Sequence, residues 1–355
     1  MSSRNERFYF RTALPGDSPH LLKLYESEGF TGNISVLFTR RPDPYQSLMG
    51  EGENAVIPVV IDRDADLVCG MGASIIHKVN LNGETRTAGY LTGLKSLPEY
   101  RKRVPFGTAV YSYLHELTKE KVDFYYTTIL KDNAAAQKML EKKRRNMPEY
   151  RFAGEYTVYC FRAGHLQQDK ALKGYKFRKS NVAEIQAAFD KASLSFNLSP
   201  ASTNWPGLAD NDCYVMQDND GRTVAACAVW NQQSYKQYVI TRYGGIYRFL
   251  RNMPLKLFGF PNLPKENRPV NCASITMLSV NGNDIRLASY FLEIVARAAK
   301  SYDFLMLGLH ENHPLNAAVS KIRSIKYQSR VYTVHWGENS LVPDERPFNL
   351  EVGLL

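Results

Sequence analysis

Residues 87–130 read TAGYLTGLKSLPEYRKRVPFGTAVYSYLHELTKEKVDFYYTTIL, and this stretch decides the fold. It opens with a strand-like run that follows Asn82-Gly83, a strong type I′ turn signal. From 107 to 120 the apolar residues recur at helical spacing, and the mostly apolar run at 122–130 is typical of a buried strand. The stretch therefore predicts a strand–helix–strand unit.

The flanking sequence extends this unit in both directions. Residues 8–30 predict a strand, a turn and an amphipathic helix, and residues 55–79 predict a β-hairpin. Downstream, Asn133 or the Asp before it is expected to cap a helix that continues through Lys142, and EYTVYCF at 155–161 supplies a further strand.

The second half repeats this order of elements. The best correspondence is between DFYYTTILKDNAAAQKML and DFLMLGLHENHPLNAAVS, which both run from a buried strand through an Asn-containing turn into an alanine-rich helix start. With 355 residues, the chain has the length of two typical domains, which we predict at 1–165 and 173–355. An insertion at about 231–270, rich in aromatic residues, Pro and Gly, is expected to shape a pocket or an interdomain contact.

The order strand, helix, hairpin, strand, basic turn, helix, strand and Asn-led helix resembles that of the GNAT (GCN5-related N-acetyltransferase) acyltransferases. The resemblance implies an α/β fold with a mixed sheet, present as two tandem GNAT-like copies. It also implies acetyl-CoA or another acyl-CoA as co-substrate and direct transfer of the acyl group to a small-molecule or peptide amine. In that family the strand before the basic turn exposes backbone groups to pantetheine, and the turn offers backbone N–H groups to the pyrophosphate.

By this resemblance the cofactor is held mainly by one strand and the turn that follows it. The residues so implied are Leu91, Thr92, Gly93, Leu94, Arg101, Lys102, Arg103, Phe106, Gly107, Thr108 and Asn133. The turn departs from the glycine-rich family pattern, and Pro105 removes one of the N–H donors. The alternatives are an ordinary basic turn that caps a helix and, for Asn133, a plain helix cap.

The catalytic groups are less well marked. A primary amine must lose a proton before it attacks a thioester, which makes Glu99 a candidate base, although an ion pair with the basic turn is the alternative. Leu140 stands where the family often has a Tyr acid, so that role passes to Tyr126 or Tyr125, or else the chain binds acyl-CoA without catalysis. The ending NLEVGLL is similar to that of the N-myristoyltransferases, which implies the carboxylate of Leu355 as base; a closing strand is the alternative.

The second copy is more degenerate at the corresponding turn. Residues 281–286 are too short and too acidic for a good phosphate loop. We therefore expect this copy to be chiefly structural or to bind the acceptor.

Composition excludes several other classes of protein. With 44% hydrophobic and 23% charged residues the chain is expected to be globular, and it has no apolar run long enough for a signal peptide or a membrane span, so we predict a cytoplasmic protein. Its five scattered cysteines argue against disulfides and a zinc site and predict buried core residues. The net charge of +10 suits a phosphate-bearing ligand; nucleic acid is an unfavoured partner because no recognition motif is present, and a homodimer stays open.

Overall fold

A large, mostly antiparallel sheet runs through both halves of the chain and carries helices on its faces. It is seen in a computed structural model, which describes residues 7–101, 106–142, 147–164, 172–201, 203–337 and 341–355. This architecture confirms the α/β class expected from the sequence. None of the helices in these ranges combines the length and the apolar content needed to cross a bilayer.

The two halves share a core order of strand, helix, hairpin, strand, helix, strand, helix and strand, and each half adds elements of its own. The first half supplies β1 (Phe8–Thr12), α1 (Ser18–Glu26), β2 (Ile34–Thr39), α2 (Pro44–Gly50), β3 (Asn54–Val56), β4 (Pro58–Asp62), β5 (Leu67–Leu81), β6 (Glu84–Ser96), α3 (Phe106–Thr118), β7 (Phe124–Leu130), α4 (Ala134–Leu140) and β8 (Glu149–Arg162). The second half supplies β9 (Lys176–Lys179), α5 (Val182–Ser193), β10 (Ser199–Pro200), β11 (Cys213–Gln217), β12 (Thr223–Trp230), β13 (Gln237–Tyr243), α6 (Tyr247–Leu250), β14 (Cys272–Val280), α7 (Ile285–Ala298), β15 (Phe304–His310), α8 (Asn316–Val319) and β16 (Ser324–His335).

The two halves exchange their long last strands. The strand order in the sheet is β1-β4-β5-β6-β7-β16-β8-β15-β14-β12-β11-β9. Strand β16 of the second half therefore lies between β7 and β8, and β8 of the first half lies between β16 and β15. The two exchanged strands pair with each other from Ser324 opposite Phe161 to His335 opposite Glu149. Each half thus supplies a strand that completes the sheet of the other.

The strand–helix–strand unit predicted from the sequence is present in both halves. In the first, β6 and β7 pair in parallel over 88–90 and 124–126, and α3 and α4 pack on an apolar cluster that includes Leu91 and Tyr125. In the second, β14 and β15 pair in parallel over only three residues as well, and α7 and α8 cover a corresponding cluster. The short parallel ladders mean that in each half the two strands diverge soon after they meet.

Several local predictions are confirmed. Asn82 and Gly83 have positive φ angles of 56° and 80°, as a type I′ turn requires, and they join β5 to β6. Asn133 caps α4, since its Oδ1 accepts a hydrogen bond from the N–H of Ala136. All five cysteines are buried and free.

Other elements differ in length or kind. Strand β8 begins at Glu149, six residues before the predicted strand, because β16 pairs with it along its whole length. The helix expected to continue through Lys142 ends at Leu140. The alternative prediction of a closing strand at the end of the chain is wrong: Val352–Leu354 forms a buried 3₁₀ turn, and the Gly353 carbonyl accepts hydrogen bonds from the side chains of Gln232 and Lys236 instead of from a neighbouring strand.

The insertion of the second half joins the two halves a second time. Its strand β13 pairs with β2, so that Gln237 lies opposite Thr39 and Tyr243 lies opposite Ile34. Most of the predicted domain boundary near residues 165–173 lies outside the described residues, and the division into 1–165 and 173–355 stays a prediction.

Gly308 of β15 leaves room for the side chain of Tyr156, which extends from β8 of the first half to Leu350 near the end of the chain. A Cβ at this position would lie 1.9 Å from Tyr156 Oη, and that hydroxyl donates a hydrogen bond to the Leu350 carbonyl. We expect Gly308→Ala to lower the free energy of unfolding by about 3 kcal/mol, because the ring of a fully buried Tyr156 cannot move without loss of packing. Urea unfolding measures this change.

Gly50→Ala is the matched control, because a Cβ there meets nothing within 4 Å. An equal loss of stability in both variants would contradict the steric explanation.

Candidate active site

A β-bulge interrupts strand β6 where it leaves its parallel partner. Met71 of β5 lies opposite Lys95, and Ala73 lies opposite Thr92, so β6 has one residue more than β5 in this interval. Gly93 lies inside the bulge with φ of +64°, a conformation that glycine adopts without strain. Such a bulge takes backbone groups out of the ladder and makes them available to a ligand.

The bulge lies beside the opening between β6 and β7. Their parallel pairing ends at Tyr90 and Tyr126, and one residue further on the Thr127 hydroxyl donates to the Leu91 carbonyl at 2.6 Å in place of a backbone donor. The residues implied for pantetheine, 91–94, therefore lie along the diverging part of β6.

Tyr25 of α1 adds a polar group at the bulge. Its side chain is almost fully buried, and its hydroxyl makes no well-formed hydrogen bond among the described residues, although the nearby Arg40 guanidinium interacts with it. The hydroxyl lies 3.0 Å from the point where a Cβ on Gly93 would be. Burial raises the pKa of this phenol, so it is a hydrogen-bond donor at neutral pH. Sequence reasoning assigned Tyr25 only to the apolar face of the helix, because periodicity does not reveal where a hydroxyl points.

A buried group of charges lies near Tyr25. Arg40 Nη2 donates to Glu51 Oε2 at 2.7 Å, and Lys236 Nζ lies 2.9 Å from Glu51 Oε1 as an ion pair. All three side chains are at most 2% exposed. Burial opposes ionisation of Glu51, but its two cationic neighbours outweigh that effect and lower its pKa.

Lys236 connects these charges to the end of the chain. Its Nζ donates to the carbonyl oxygen of Gly353 and to a main-chain oxygen of Leu355, both at 2.9 Å. Burial lowers the pKa of Lys236 to about 8, despite the nearby Glu51 carboxylate. Sequence reasoning missed this lysine because it lies in the insertion, outside any motif.

Tyr126 is held by a histidine. Its hydroxyl lies 2.7 Å from His77 Nε2, and both side chains are buried. Burial lowers the pKa of His77 to about 4 and raises that of Tyr126 well above its ordinary value, so both groups are neutral at physiological pH. Tyr125 points to the other face of β7, where its hydroxyl is hydrogen-bonded to Thr118 Oγ1 and its ring packs on Trp336.

Three of the residues predicted for the site pack with one core cluster. Tyr126 and Tyr25 belong to it, and Leu94 and Leu355 pack against it. The cluster extends through both halves of the chain, so a single site formed by the predicted residues stays a prediction.

The remaining predicted residues lie elsewhere or cannot be described. Glu99 is exposed on a 3₁₀ turn, and Arg101 pairs with the exposed Glu28. Lys102 and Arg103 lie outside the described residues. The next three residues implied for the cofactor, Phe106, Gly107 and Thr108, form the first turn of α3. Asn133 acts as the cap of α4 described above.

The second half contains a bulge at the equivalent place. Ala226 of β12 lies opposite Ser279, whereas Ala228 lies opposite Thr276, so β14 has one extra residue there. Met277 occupies this bulge with φ of +51°, which is unusual for a residue other than glycine.

In the second copy, carboxylate side chains of the chain itself accept hydrogen bonds at the bulge and at the start of α7. Glu351 Oε1 accepts from the N–H of Met277, and Oε2 accepts from the Thr276 hydroxyl, both at 2.9 Å. At the start of α7, Asp284 accepts from the N–H groups of residues 286 and 287. The bulge and the helix N-terminus, the two places that hold an acyl-CoA by the family resemblance, are therefore both satisfied internally.

No metal site is evident in the part of the chain that the structure describes. Within it, no three His, Cys, Asp or Glu side chains converge in a way that could hold an ion.

The fold can now be compared with known structures. The chain is similar to a GCN5-related glucosamine N-acetyltransferase region of a fungal multi-domain GH3 β-N-acetylglucosaminidase, with a TM-score of 0.60 and 13% identity over 92% of this chain and 38% of that one. The chain is also similar to Saccharomyces cerevisiae N-myristoyltransferase with bound myristoyl-CoA, with a TM-score of 0.54 and 8% identity over 96% of this chain and 87% of that one. A GCN5-related N-acetyltransferase from Sphaerobacter thermophilus is similar with a TM-score of 0.54 and 11% identity, over 92% of this chain and 95% of that one.

These similarities define the class of fold. Identities of 13% or less establish the fold alone, and the chain has the mixed α/β fold that these GNAT-like structures share, as the resemblance in element order implied. No protein-family model matches the sequence, and a search of curated proteins finds no match.

The carboxyl group of Glu351 should make stability depend on pH. Burial raises its pKa from about 4.5 to about 7, and the described residues include no cation paired with it. Between these two pH values the folded chain therefore keeps a proton on Glu351 that the unfolded chain has already lost. Stability should fall as pH rises through this window, by on the order of 3 kcal/mol in total.

Glu351→Gln, which mimics the protonated carboxyl, should remove this cost. We expect the variant to gain stability over the natural chain at pH 8.5 and to differ little at pH 4.5, as measured by urea unfolding at both values. The exposed Glu53→Gln controls for loss of a carboxylate. A gain that is the same at both pH values would contradict the assignment.

Proposed function

We propose that this chain is an acyl-CoA-dependent N-acyltransferase that binds one acyl-CoA at the Gly93 bulge of its first copy. The observation that carries the proposal is the buried Tyr25 hydroxyl, whose O–H has no acceptor among the described residues, beside a bulge at the diverging end of β6. The similar yeast protein has myristoyl-CoA bound, and the other two similar proteins are named as N-acetyltransferases. Acetyl-CoA is the simplest donor, with the first copy holding it and the second facing the acceptor.

The proposed reaction is a direct transfer. The neutral amine of the acceptor attacks the thioester carbonyl, and the resulting oxyanion accepts hydrogen bonds from the backbone N–H of Leu94 and the hydroxyl of Tyr25. The C–N bond forms, the C–S bond breaks, and the proton lost by the amine passes to the CoA thiolate. We propose Lys236 as the group that takes this proton first, from its neutral form, in which the ion pair with Glu51 is released; a pKa of about 8 leaves part of its amine neutral near pH 8. Tyr126 stays the candidate acid.

Removal of the Tyr25 hydroxyl tests the site. We expect Tyr25→Phe to lower kcat about 100-fold with little change in KM for acyl-CoA, because one oxyanion donor is lost and the ring is kept. Consumption of acetyl-CoA and longer acyl-CoAs against a panel of amines measures the rate.

Tyr290→Phe is the matched control. It removes a half-buried hydroxyl from α7 in the second copy. If both variants keep full activity, Tyr25 has no part in the reaction.

The pH profile separates the candidate bases. With Lys236 as base, kcat should rise about tenfold per pH unit below 8 and level off above it, because the amine is active only when neutral. Glu99→Gln should leave this profile and the rate unchanged, since Glu99 is exposed. A large loss of activity in Glu99→Gln would instead assign the base to that carboxylate.

A second candidate function is acyl-CoA binding without catalysis. It is favoured by Leu140, which is buried where the family often has a Tyr acid. CoA that raises the melting temperature, with one site per chain and no amine consuming acyl-CoA, would identify a binding protein. No thermal shift at all would reject both candidate functions.

A further inference from the structure

The insertion of the second half exposes a cluster of large apolar side chains. We call this cluster, together with the basic residues around it, the apolar-basic face. Phe249 is 75% exposed and Leu257 is 81% exposed, values at which a side chain protrudes into solvent. The exposed apolar members are Ile246, Phe249, Met253, Leu257 and Phe258.

The segment is held firmly on the protein with these side chains outward. Tyr247, Leu250 and Leu255 point the other way and pack against the main core cluster. Arg162 donates to the Lys256 carbonyl at 3.0 Å, and Arg323 donates to the Phe258 carbonyl at 2.7 Å. The apolar groups are thus presented by a fixed backbone.

Positive charge surrounds the exposed apolar groups. Residues 242–270 contain six Lys or Arg and one acidic residue, Glu266, which is paired with Arg251 at 3.1 Å. The basic residues are all exposed, and they are Arg242, Arg248, Arg251, Lys256, Lys265 and Arg268. Among the described residues, five of the twelve most exposed large hydrophobic side chains fall within thirteen positions of this segment.

We propose that the apolar-basic face docks on an anionic phospholipid surface. Protruding Phe, Leu, Ile and Met side chains can enter the boundary between headgroups and acyl chains, while Lys and Arg around them bind lipid phosphates and acidic headgroups. A lipid surface suits this arrangement better than a protein partner does. Six exposed Lys or Arg residues accompany the apolar side chains, whereas the core of a protein interface is depleted of charged residues.

Vesicle binding by the full chain tests the proposal. We expect co-sedimentation with vesicles of phosphatidylcholine and phosphatidylserine at 7:3, little with phosphatidylcholine alone, and a marked decrease at 500 mM NaCl. Phe249→Ser combined with Leu257→Ser should weaken binding at least tenfold. Arg248→Gln combined with Lys256→Gln should weaken binding to the anionic vesicles by a similar factor.

Leu194→Ser combined with Val342→Ser is the matched control. It replaces two side chains that are about half exposed and lie outside this face. It should bind vesicles as the natural chain does, and equal melting temperatures should show that all variants are folded. The proposal is overturned if the natural chain does not bind anionic vesicles or if Phe249 and Leu257 can be replaced without effect. It is also overturned if their replacement only converts a dimer to a monomer.

Discussion

The pairing of β8 with β16 is the constraint on which the rest of the structure depends. Each strand is bonded on both edges, and each lies inside the sheet of the other half. Neither half can close its sheet alone, because the next strand would then have an unpaired edge. The pairing also brings the insertion of the second half over the first, where β13 joins β2 and Lys236 reaches Glu51.

The two bulges differ in the residue that occupies them and in the hydrogen bonds made beside them. Glycine occupies the first bulge, and the O–H of Tyr25 beside it has no acceptor among the described residues. Methionine occupies the second, and Glu351 satisfies it. A buried polar group without a partner costs free energy, so it persists in a folded chain where a ligand can satisfy it. The contrast supports assigning the ligand to the first copy and a structural role to the second.

Much of the fold could be predicted from the sequence, because its signals are local. The helical spacing at 107–120 and the Asn82-Gly83 turn each report on their own neighbourhood. The exchange of β8 and β16 could not be predicted, because alternation along a strand does not identify its partner. For the same reason the region of Gly93 could be found, whereas Tyr25 and Lys236, which reach the site from distant segments, could not.

The strand exchange also sets an order of events during synthesis. β7 is complete at Leu130, but the strand that covers its free edge begins only at Ser324, about 190 residues later. At a translation rate of about 5–20 residues per second, the ribosome needs roughly 10–40 s to make the intervening chain. Throughout that interval the nascent first half has an open sheet edge. The native sheet around β7 can therefore be completed only after β16 has been synthesised, and an open edge is a site for chaperones or for aggregation in the meantime.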